Sequence, residues 1–501
     1  MKRVSTLLAI ALFALLGACE SDPRHVRVAE GEAQGVVRDG VRVFRSLPYA
    51  AAPVGALRWR APQPASAWRG VRDATVAGPL CTQNTARAEW GPWTGNFAPH
   101  GPVSEDCLTL SVWTPARSSA ERLPVMLWIP GGGFTDGGEA MPVYDGAALA
   151  RRGIVVVTIN YRVAAFGLLA HPALEQDGDS GNYTLRDALA ALRWVHANIA
   201  AFGGDPGRVT IAGQSAGAAL AYIMLDSAEA RGLFHGAILQ SFPPGSETLP
   251  DRATAYAVGA RIAQELRAND ASGLRAASAD VVLHSNGDGL NLYVDDALIR
   301  DPHFASLPYL NDVPIMAGMT ADELSFLSPN LARYREAATR YGGAFTQLYP
   351  AHNDAEAAEA FLRSDREATM VGLQRWARGT RGGAPLYLYL WDHAVPGPDA
   401  ARYRAFHSSE VIYMFGSFAA APERPFTAVD RTISERMLDY WSNFVKAGNP
   451  NSPGVQAWPR ADADAPVFME LGARFAPMAP LPANVSAFFS EYDDAHDLYR
   501  F

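Results

Sequence analysis

The sequence lacks an excess of basic residues, an apolar run long enough to span a bilayer, and internal repeats. Lys and Arg number 43 against 52 Asp and Glu, giving a formal net charge of −9. This charge argues against nucleic acid and against an anionic membrane surface as partners. No low-complexity segment or long linker divides the chain. Its 501 residues, 49% of them hydrophobic, are enough for one large core or two domains.

The N-terminus has the pattern of a targeting segment rather than of a folded element. A basic start precedes the apolar run Leu7–Leu16, which is too short to span a bilayer as a finished helix. Leu16 is unsuited to the −3 position of an ordinary cleavage site before Cys19, so the run resembles a bacterial lipoprotein signal with Cys19 as the lipid-bearing residue. Glu20 then favours transfer to the outer membrane. The alternative is a simple secretory signal. We predict a signal peptide over 1–18, a tether over 19–25 and a folded domain over 26–501.

Cysteine is scarce, with only three in the chain. If Cys19 carries lipid, Cys81 and Cys107 remain. Two cysteines can pair in an oxidising compartment, which fits export, or they can stay as buried free thiols.

Short β-branched and apolar runs alternate with helical patterns along the chain. The stretch 185–202 places Leu185, Leu189, Leu192, Val195 and Ile199 on one stripe, which predicts a helix. Strands are predicted over Val125–Ile129, Ile154–Ile159, Val209–Ala212, Ala237–Gln240, Val313–Ala317 and Leu386–Trp391. This alternation predicts an α/β fold with a mostly parallel sheet.

A serine flanked by glycines follows one of these predicted strands, in the run Gly213-Gln214-Ser215-Ala216-Gly217. A small-residue helix follows it. A serine at a sharp strand-to-helix turn exposes its hydroxyl at the carboxyl end of the sheet, and the glycines make room for the crowded backbone. The glycines at 131–133 also follow a strand and leave backbone N–H donors uncovered, as an oxyanion requires. Together these features predict a nucleophile elbow and its oxyanion hole.

Longer segments carry a resemblance to a known family. They are "FRSLPYAAAPVGALRWRAPQP" (44–64), "SEDCLTLSVWTP" (104–115), "GGGF" (131–134), "INYRVAAFGLLA" (159–170), "GNYTLRD" (181–187), "FGGDPGRVTIAGQSAG" (202–217) and "ILQS" (238–241). With them the chain resembles the type-B carboxylesterases from about residue 35 to 472. The resemblance implies an α/β-hydrolase fold and a disulfide between Cys81 and Cys107.

A nucleophilic serine needs a histidine base and an orienting carboxylate, in the chain order Ser, acid, His for this fold. The resemblance places the acid at Glu323, with the adjacent Asp322 as the alternative. Of the later histidines, His352, His393, His407 and His496, two follow the strand 386–391, where the base is expected. The residues alone do not show whether His393 or His407 is the base. The segment "AFHSSEVIYMFG" (405–416) resembles the family's histidine segment and favours His407.

The family's mechanism then implies oxyanion donors at the N–H groups of Gly132, Gly133 and Ala216, with no metal or cofactor. Two positions depart from many relatives. Pro130 stands where they have histidine before the glycines, so this position has no backbone N–H. Gln214 replaces the usual glutamate, which belongs in relatives to a buried polar group with the counterparts of Ser241 and Glu410. The missing charge argues against a preference for cationic esters.

The substrate pocket is less clearly marked. Several apolar residues beside the catalytic segments are either its lining or plain core: Phe134, Phe166, Phe242, Met414 and Phe415. Trp90 and Trp93 lie between the paired cysteines, either at the mouth of the site or in surface packing. A C-terminal cluster is more typical of a solvated acidic tail than of a metal site; it comprises Glu491, Asp493, Asp494, His496 and Asp497.

The sequence therefore predicts an exported serine esterase in the bacterial envelope, on the periplasmic or the surface side of the outer membrane. Its partners are small or medium uncharged esters, with no nucleic acid, and with membrane contact only through the lipid anchor. A monomer is the default. The alternatives are a lipase, amidase or carbamate hydrolase with the same triad, or a non-catalytic binding module on the same fold.

Overall fold

A computed structural model describes residues 22–85, 90–95, 98–175, 180–245, 248–303, 309–379, 383–461 and 466–496. The predicted signal peptide and Cys19 lie outside these ranges. The described strands, in chain order, are β1 His25–Val28, β2 Gly31–Gln34, β3 Val36–Arg38, β4 Val41–Pro48, β5 Val71–Asp73, β6 Leu80–Cys81, β7 Val103–Ser104, β8 Thr109–Thr114, β9 Leu123–Ile129, β10 Val155–Ile159, β11 Gly204–Gln214, β12 Gly236–Gln240, β13 Ile315–Thr320, β14 Leu386–Asp392, β15 Phe468–Gly472 and β16 Phe475–Pro477.

One 11-stranded sheet organises the fold, in the spatial order β16-β15-β14-β13-β12-β11-β9-β10-β8-β4-β3. Its central pairs, from β10 through β15, are all parallel, whereas the pairs at both ends are antiparallel. The central strands are continuous apolar runs because helices cover both of their faces. The expected α/β class and mostly parallel sheet are thus confirmed.

The described helices are α1 Ala147–Ala150, α2 Ala164–Leu168, α3 Pro172–Glu175, α4 Tyr183–Asn198, α5 Ala216–Leu225, α6 Arg252–Glu265, α7 Ala271–Ala276, α8 Ala279–Leu283, α9 Leu331–Tyr341, α10 Phe345–Leu348, α11 Asp354–Gly379, α12 Ala400–Tyr403, α13 Val411–Phe415, α14 Ala428–Ala447 and α15 Ala483–Ala495. Helix α5 is buried along its whole length and packs on β9, β11 and β12. Its Ala and Gly residues permit this close approach. Within the described ranges, no helix is long and apolar enough to cross a membrane.

The predicted elements differ from the structure at their ends, most of all β11, which runs over Gly204–Gln214 rather than Val209–Ala212. The stripe over 185–202 forms α4 to Asn198 and then a 3₁₀ turn over Ile199–Phe202. The strand predicted at Val313–Ala317 runs instead over Ile315–Thr320. Pro314 lacks an N–H group, so it cannot donate to a ladder, although its carbonyl accepts from Ala237 N at 2.9 Å.

The two remaining cysteines are joined in the structure, with 4.9 Å between the Cα atoms of Cys81 and Cys107. This confirms the pairing that the family resemblance implies. The bond closes a loop over 82–106, and Trp90 and Trp93 of this loop lie at the carboxyl edge of the central sheet, where the candidate site lies.

Candidate active site

Ser215 stands at the turn between β11 and α5, in a strained backbone conformation with φ 56° and ψ −127°. Its N–H donates to the Gln240 carbonyl at 2.8 Å, which ties the turn to the neighbouring strand. A Cβ on Gly213 would lie 2.4 Å from the Gly217 backbone, and one on Gly217 only 2.0 Å from the Ile129 oxygen. The two flanking glycines are therefore required by the tightness of the turn, which answers why the sequence places them there.

The glycine-rich loop after β9 lies directly beside this serine. A Cβ on Gly131 would be 2.8 Å from the Gln214 carbonyl oxygen and 3.2 Å from Ser215 Cβ. Gly132 and Gly133 have φ of 123° and 58°, conformations that side chains rarely adopt. Tyr161 anchors the loop from below, since its hydroxyl donates to the Pro130 carbonyl at 2.5 Å.

His407 and Glu323 meet at the same edge of the sheet. The imidazole Nδ1 of His407 is in close hydrogen-bond contact with Glu323 Oε2, and Thr320 N donates to Glu323 Oε1 at 2.7 Å. The neighbouring carboxylate takes no part in this contact. Asp322 is buried, accepts from Ala405 N at 3.3 Å and lies 3.6 Å from the Arg404 guanidinium. Of the two adjacent candidates, the geometry therefore favours Glu323.

The alternative histidine has a different environment. His393 Nε2 lies 2.9 Å from Asp430 Oδ1, and its ring packs edge-on against Trp391 and Tyr413. Asp430 also accepts from the Tyr413 hydroxyl at 2.7 Å, so this group is a local polar cluster at the end of β14. His393 is absent from the described wall of the cavity that holds Ser215 and His407.

The buried polar group around the site is connected differently from the expectation. Gln214 does not bond Glu410 in the structure; its amide nitrogen lies 3.1 Å from His407 Nε2. Gln240 bonds Glu410 instead, donating to Oε1 at 2.8 Å, and accepts from Trp441 Nε1 at 3.0 Å. Gln214 and Gln240 are paired residues at the carboxyl ends of β11 and β12.

Electrostatic coupling links the ionisable groups of the site. Burial alone would lower the pKa of His407, but the charge of Glu323 and its hydrogen bond raise it above the ordinary value. Burial alone would raise the pKa of Glu323, yet the His407 contact, aided by Ser241 and the Thr320 N–H, holds it low. Burial and repulsion from Glu323 raise the pKa of Glu410 to about 7. The arrangement thus favours an imidazolium–carboxylate pair, as a proton-accepting histidine requires.

A cavity of about 230 Å³ opens onto these groups. Its described wall consists of Trp90, Trp93, Ala98, Pro99, Gly131, Gly132, Gly133, Thr135, Asp136, Gly137, Met141, Tyr144, Gln214, Ser215, His407, Ser408 and Val411. Trp90 and Trp93, which the sequence left open between the mouth of the site and surface packing, are part of this wall.

The four aromatic residues and one methionine that the sequence left open between pocket lining and core are not among these described wall residues. Met414 and Phe415 are fully buried in α13, where Phe415 packs edge-on against Trp128. Phe166 belongs to a separate apolar cluster with Trp59. Phe134 is 7% exposed and Phe242 packs on the main core. These five residues are adjacent in sequence to the candidate catalytic segments, but adjacency does not determine the direction of a side chain.

The C-terminal acidic cluster also differs in part from its expectation. Asp493 is buried on α15, 3.6 Å from Arg375 of α11, which also pairs with Asp494, and burial raises the pKa of Asp493 to about 7. It is therefore packed against a helix rather than solvated. Asp497 lies outside the described residues, among which no group of three metal-ligating side chains converges.

Several residues that contact this site were not predicted from the sequence. Gln240 immediately precedes Ser241 in the segment "ILQS", and its place as the last residue of a predicted strand was the signal that could have revealed it. Tyr144 and Asp136 reach the cavity from short segments whose course no periodicity predicts.

Comparison with known proteins agrees with this geometry. A sequence model described as the carboxylesterase family matches residues 22–360 and 349–484. The chain is 35% identical over 496 residues to the fumonisin B1 esterase of Sphingopyxis macrogoltabida, covering 90% of this chain and 88% of that one. It is 33% identical over 488 residues to the phenmedipham hydrolase of Pseudarthrobacter oxydans, covering 90% and 95%. The cocaine esterase of Oryctolagus cuniculus is 35% identical over 471 residues, covering 85% and 86%.

Solved structures lead to the same fold. A PNB esterase superposes with a TM-score of 0.80 at 27% identity, covering 93% of this chain and 99% of that one. A thermophilic PNB esterase gives a TM-score of 0.78 at 28% identity. The fold is thus the α/β-hydrolase fold.

Proposed function

The chain belongs to the carboxylesterase family and is a carboxylic ester hydrolase, and we propose that it cleaves small to medium uncharged esters through Ser215, His407 and Glu323. One observation carries the proposal: a serine on a strained strand-to-helix turn shares a cavity with a histidine that a buried glutamate contacts. The same three residue types in this chain order define the hydrolase triad.

The reaction proceeds in two halves. His407 Nε2 takes the proton of Ser215 Oγ as the oxygen attacks the ester carbonyl, and then gives that proton to the leaving alcohol. Water, deprotonated by the same nitrogen, then attacks the acyl-enzyme, and His407 returns that proton to Ser215 Oγ as the acid leaves. In the free protein, His407 Nε2 contacts the Gln214 amide, so substrate binding must bring Ser215 Oγ into that position. Long or misaligned catalytic contacts are usual before substrate binds.

Backbone N–H groups would stabilise the oxyanion. Gly132 and Gly133 line the cavity beside Ser215, and Ala216 opens α5, where the first N–H groups have no partner within the helix. Each such donor is worth about 10²–10³ in rate. Pro130 precedes the donors, and its carbonyl is held by Tyr161, so the missing N–H does not remove one.

The cavity supports the substrate class. Its volume of about 230 Å³ fits a small ester, and no Lys or Arg is found in the part of its wall that the structure describes. An anionic ester would lack a counter-charge there. The three relatives are named for different substrates, so the fold that they share does not determine the substrate. The residues of the cavity wall must determine it instead.

A chain-length series of p-nitrophenyl esters tests the substrate class. We expect kcat/KM for the butyrate to exceed that for the palmitate by about 10-fold or more, because the cavity cannot enclose a long chain. We also expect the rate on tributyrin to follow dissolved substrate, with no jump when droplets form. A jump at the interface, or preference for the palmitate, would instead assign a lipase.

The pH dependence should reflect the coupling around His407. Activity requires neutral imidazole, and the raised pKa keeps His407 protonated to higher pH, so kcat/KM should fall as pH drops through a value above 6.5. Glu410 contributes to this rise through its charge. Glu410→Gln should therefore move the acid limb to lower pH, measured with p-nitrophenyl butyrate from pH 5.5 to 9. A limb that stays in place or moves up would contradict the coupling.

We also propose export as a lipoprotein, with residues 1–18 as signal, Cys19 as lipid site and 26–501 as one domain. The Cys81–Cys107 disulfide supports an oxidising compartment. Incorporation of an alkyne-labelled palmitate into wild type but not into Cys19→Ser tests the anchor.

A further inference from the structure

Residues 90–95, which we call the strap, lie inside the loop closed by Cys81 and Cys107 and reach the cavity. Trp90 and Trp93 stack at 4.9 Å between ring centroids, and Trp93 packs on Phe326 at 5.0 Å. Trp90 is 54% exposed, whereas Trp93 is partly buried against the histidine segment. The strap therefore presents one indole to solvent and the other to the active-site wall.

Trp93 is joined to the residue after His407. Its indole Nε1 donates to Ser408 Oγ at 2.8 Å, and Ser408 Oγ donates in turn to the His407 carbonyl. Ser408 has φ of 72°, a conformation that persists only where its surroundings hold it. The indole ring also lies edge-on to the imidazole, with 6.4 Å between centroids.

A partly buried arginine holds the strap beside Trp93. Arg424 donates to the Pro92 carbonyl at 2.8 Å, and its guanidinium lies 5.9 Å from the Phe406 ring centroid. Thr94 Oγ1 donates to Glu423 Oε1 at 2.8 Å. The strap is thus bonded on both sides of Trp93, so the indole N–H is held in place rather than free to rotate away.

We propose that Trp93 is a positioning residue: the strap, through the Trp93–Ser408 hydrogen bond, fixes the backbone of His407 so that its imidazole stays on Glu323. Trp93 acts through Ser408, not on the reacting atoms. The inference rests on the proposed function for its effect on rate, but its effect on the histidine can be measured without turnover.

The test compares Trp93→Phe with a matched control, Trp68→Phe. Trp68 Nε1 donates to the Glu32 carbonyl at 2.7 Å in a small sheet away from the site, so both variants lose one partly buried indole bond. We expect Trp93→Phe to lower kcat per active site by about 10-fold, since small displacements of catalytic groups are costly. Trp68→Phe should stay within about 2-fold. Active sites are counted by titration with a fluorophosphonate.

Ser408→Ala removes the acceptor and should reproduce the loss in kcat. The double variant should lose no more than the larger single loss, because both changes break one bond. The acid limb of kcat/KM should move to lower pH in both, since a displaced imidazole loses part of the charge contact that raises its pKa. Multiplicative losses, or kcat per site unchanged in Trp93→Phe, would overturn the proposal.

Proton NMR gives a readout that does not need turnover. The Nδ1 proton of His407, bonded to Glu323, should give a far-downfield signal in wild type and Trp68→Phe, assigned by its absence in His407→Gln. In Trp93→Phe we expect this signal to broaden or vanish through exchange with water. An unchanged signal overturns the positioning role even if no ester is turned over, whereas an inactive wild type with the expected signals overturns only the proposed function.

Discussion

Ser215→Ala is expected to lower kcat for p-nitrophenyl butyrate by about 10⁵- to 10⁶-fold, the loss seen when a triad serine is removed. The substitution takes away the oxygen that forms the acyl-enzyme in the proposed mechanism and leaves the rest of the site in place. Alanine keeps the Cβ at the strained turn, and the N–H of residue 215 can still donate to the Gln240 carbonyl. The fold should therefore survive, as circular dichroism and thermal unfolding can check.

Ser442→Ala provides the matched control for this experiment. Ser442 is 1% exposed on α14, and its hydroxyl donates to the Asp439 carbonyl within the helix. Its loss should leave kcat within about 2-fold of wild type. Equal hydrolysis by wild type and Ser215→Ala would show that another group attacks the ester. If both are folded and inactive on all esters, the site is either silent or strictly selective, and the search would turn to binding partners.

The fold was predictable because its sheet lies between helices. Strands such as β10 and β14 are buried on both faces, so they are continuous apolar runs, and α4 shows a clear apolar stripe. The ends of elements were less predictable. The strand β13 begins only after Pro314, which cannot donate a backbone hydrogen bond. Helix α4 ends in a 3₁₀ turn that continues its apolar stripe, so the sequence pattern does not show where the helix ends.

The site was predictable where a backbone constraint shows in the residues. The glycines around Ser215 are required by backbone atoms within 3 Å, so the motif in the sequence reflects the turn itself. The residues of the cavity wall are not marked by a backbone constraint of this kind. Phe166 and Phe415 flank the segments of the proposed triad but pack in apolar clusters, whereas Trp93 reaches the cavity from the loop between Cys81 and Cys107. Side-chain direction in loops depends on tertiary contacts that no single sequence displays.

Glu323→Gln is expected to lower kcat by about 10⁴-fold, as removal of the charge does in other triads. Glutamine can still occupy the position, but its neutral amide can donate to Nδ1 of His407 and favour the wrong tautomer. It also no longer stabilises the imidazolium that forms as Ser215 attacks. Because Glu323 raises the pKa of His407, the residual activity should extend to lower pH than in wild type.

The adjacent carboxylate offers a sharp comparison, because Asp322→Asn makes the same chemical change one residue away. Asp322 is 4% exposed and accepts from Ala405 N, a bond that asparagine can keep, and its charge faces Arg404 rather than the imidazole. We expect kcat within about 3-fold of wild type for this variant and an acid limb in its usual place. If Asp322→Asn instead showed the loss of about 10⁴-fold and Glu323→Gln did not, the carboxylate that contacts His407 in the free protein would not be the one that acts during catalysis. The His407 segment would then have to move on substrate binding, against the Trp93–Ser408 bond that holds it.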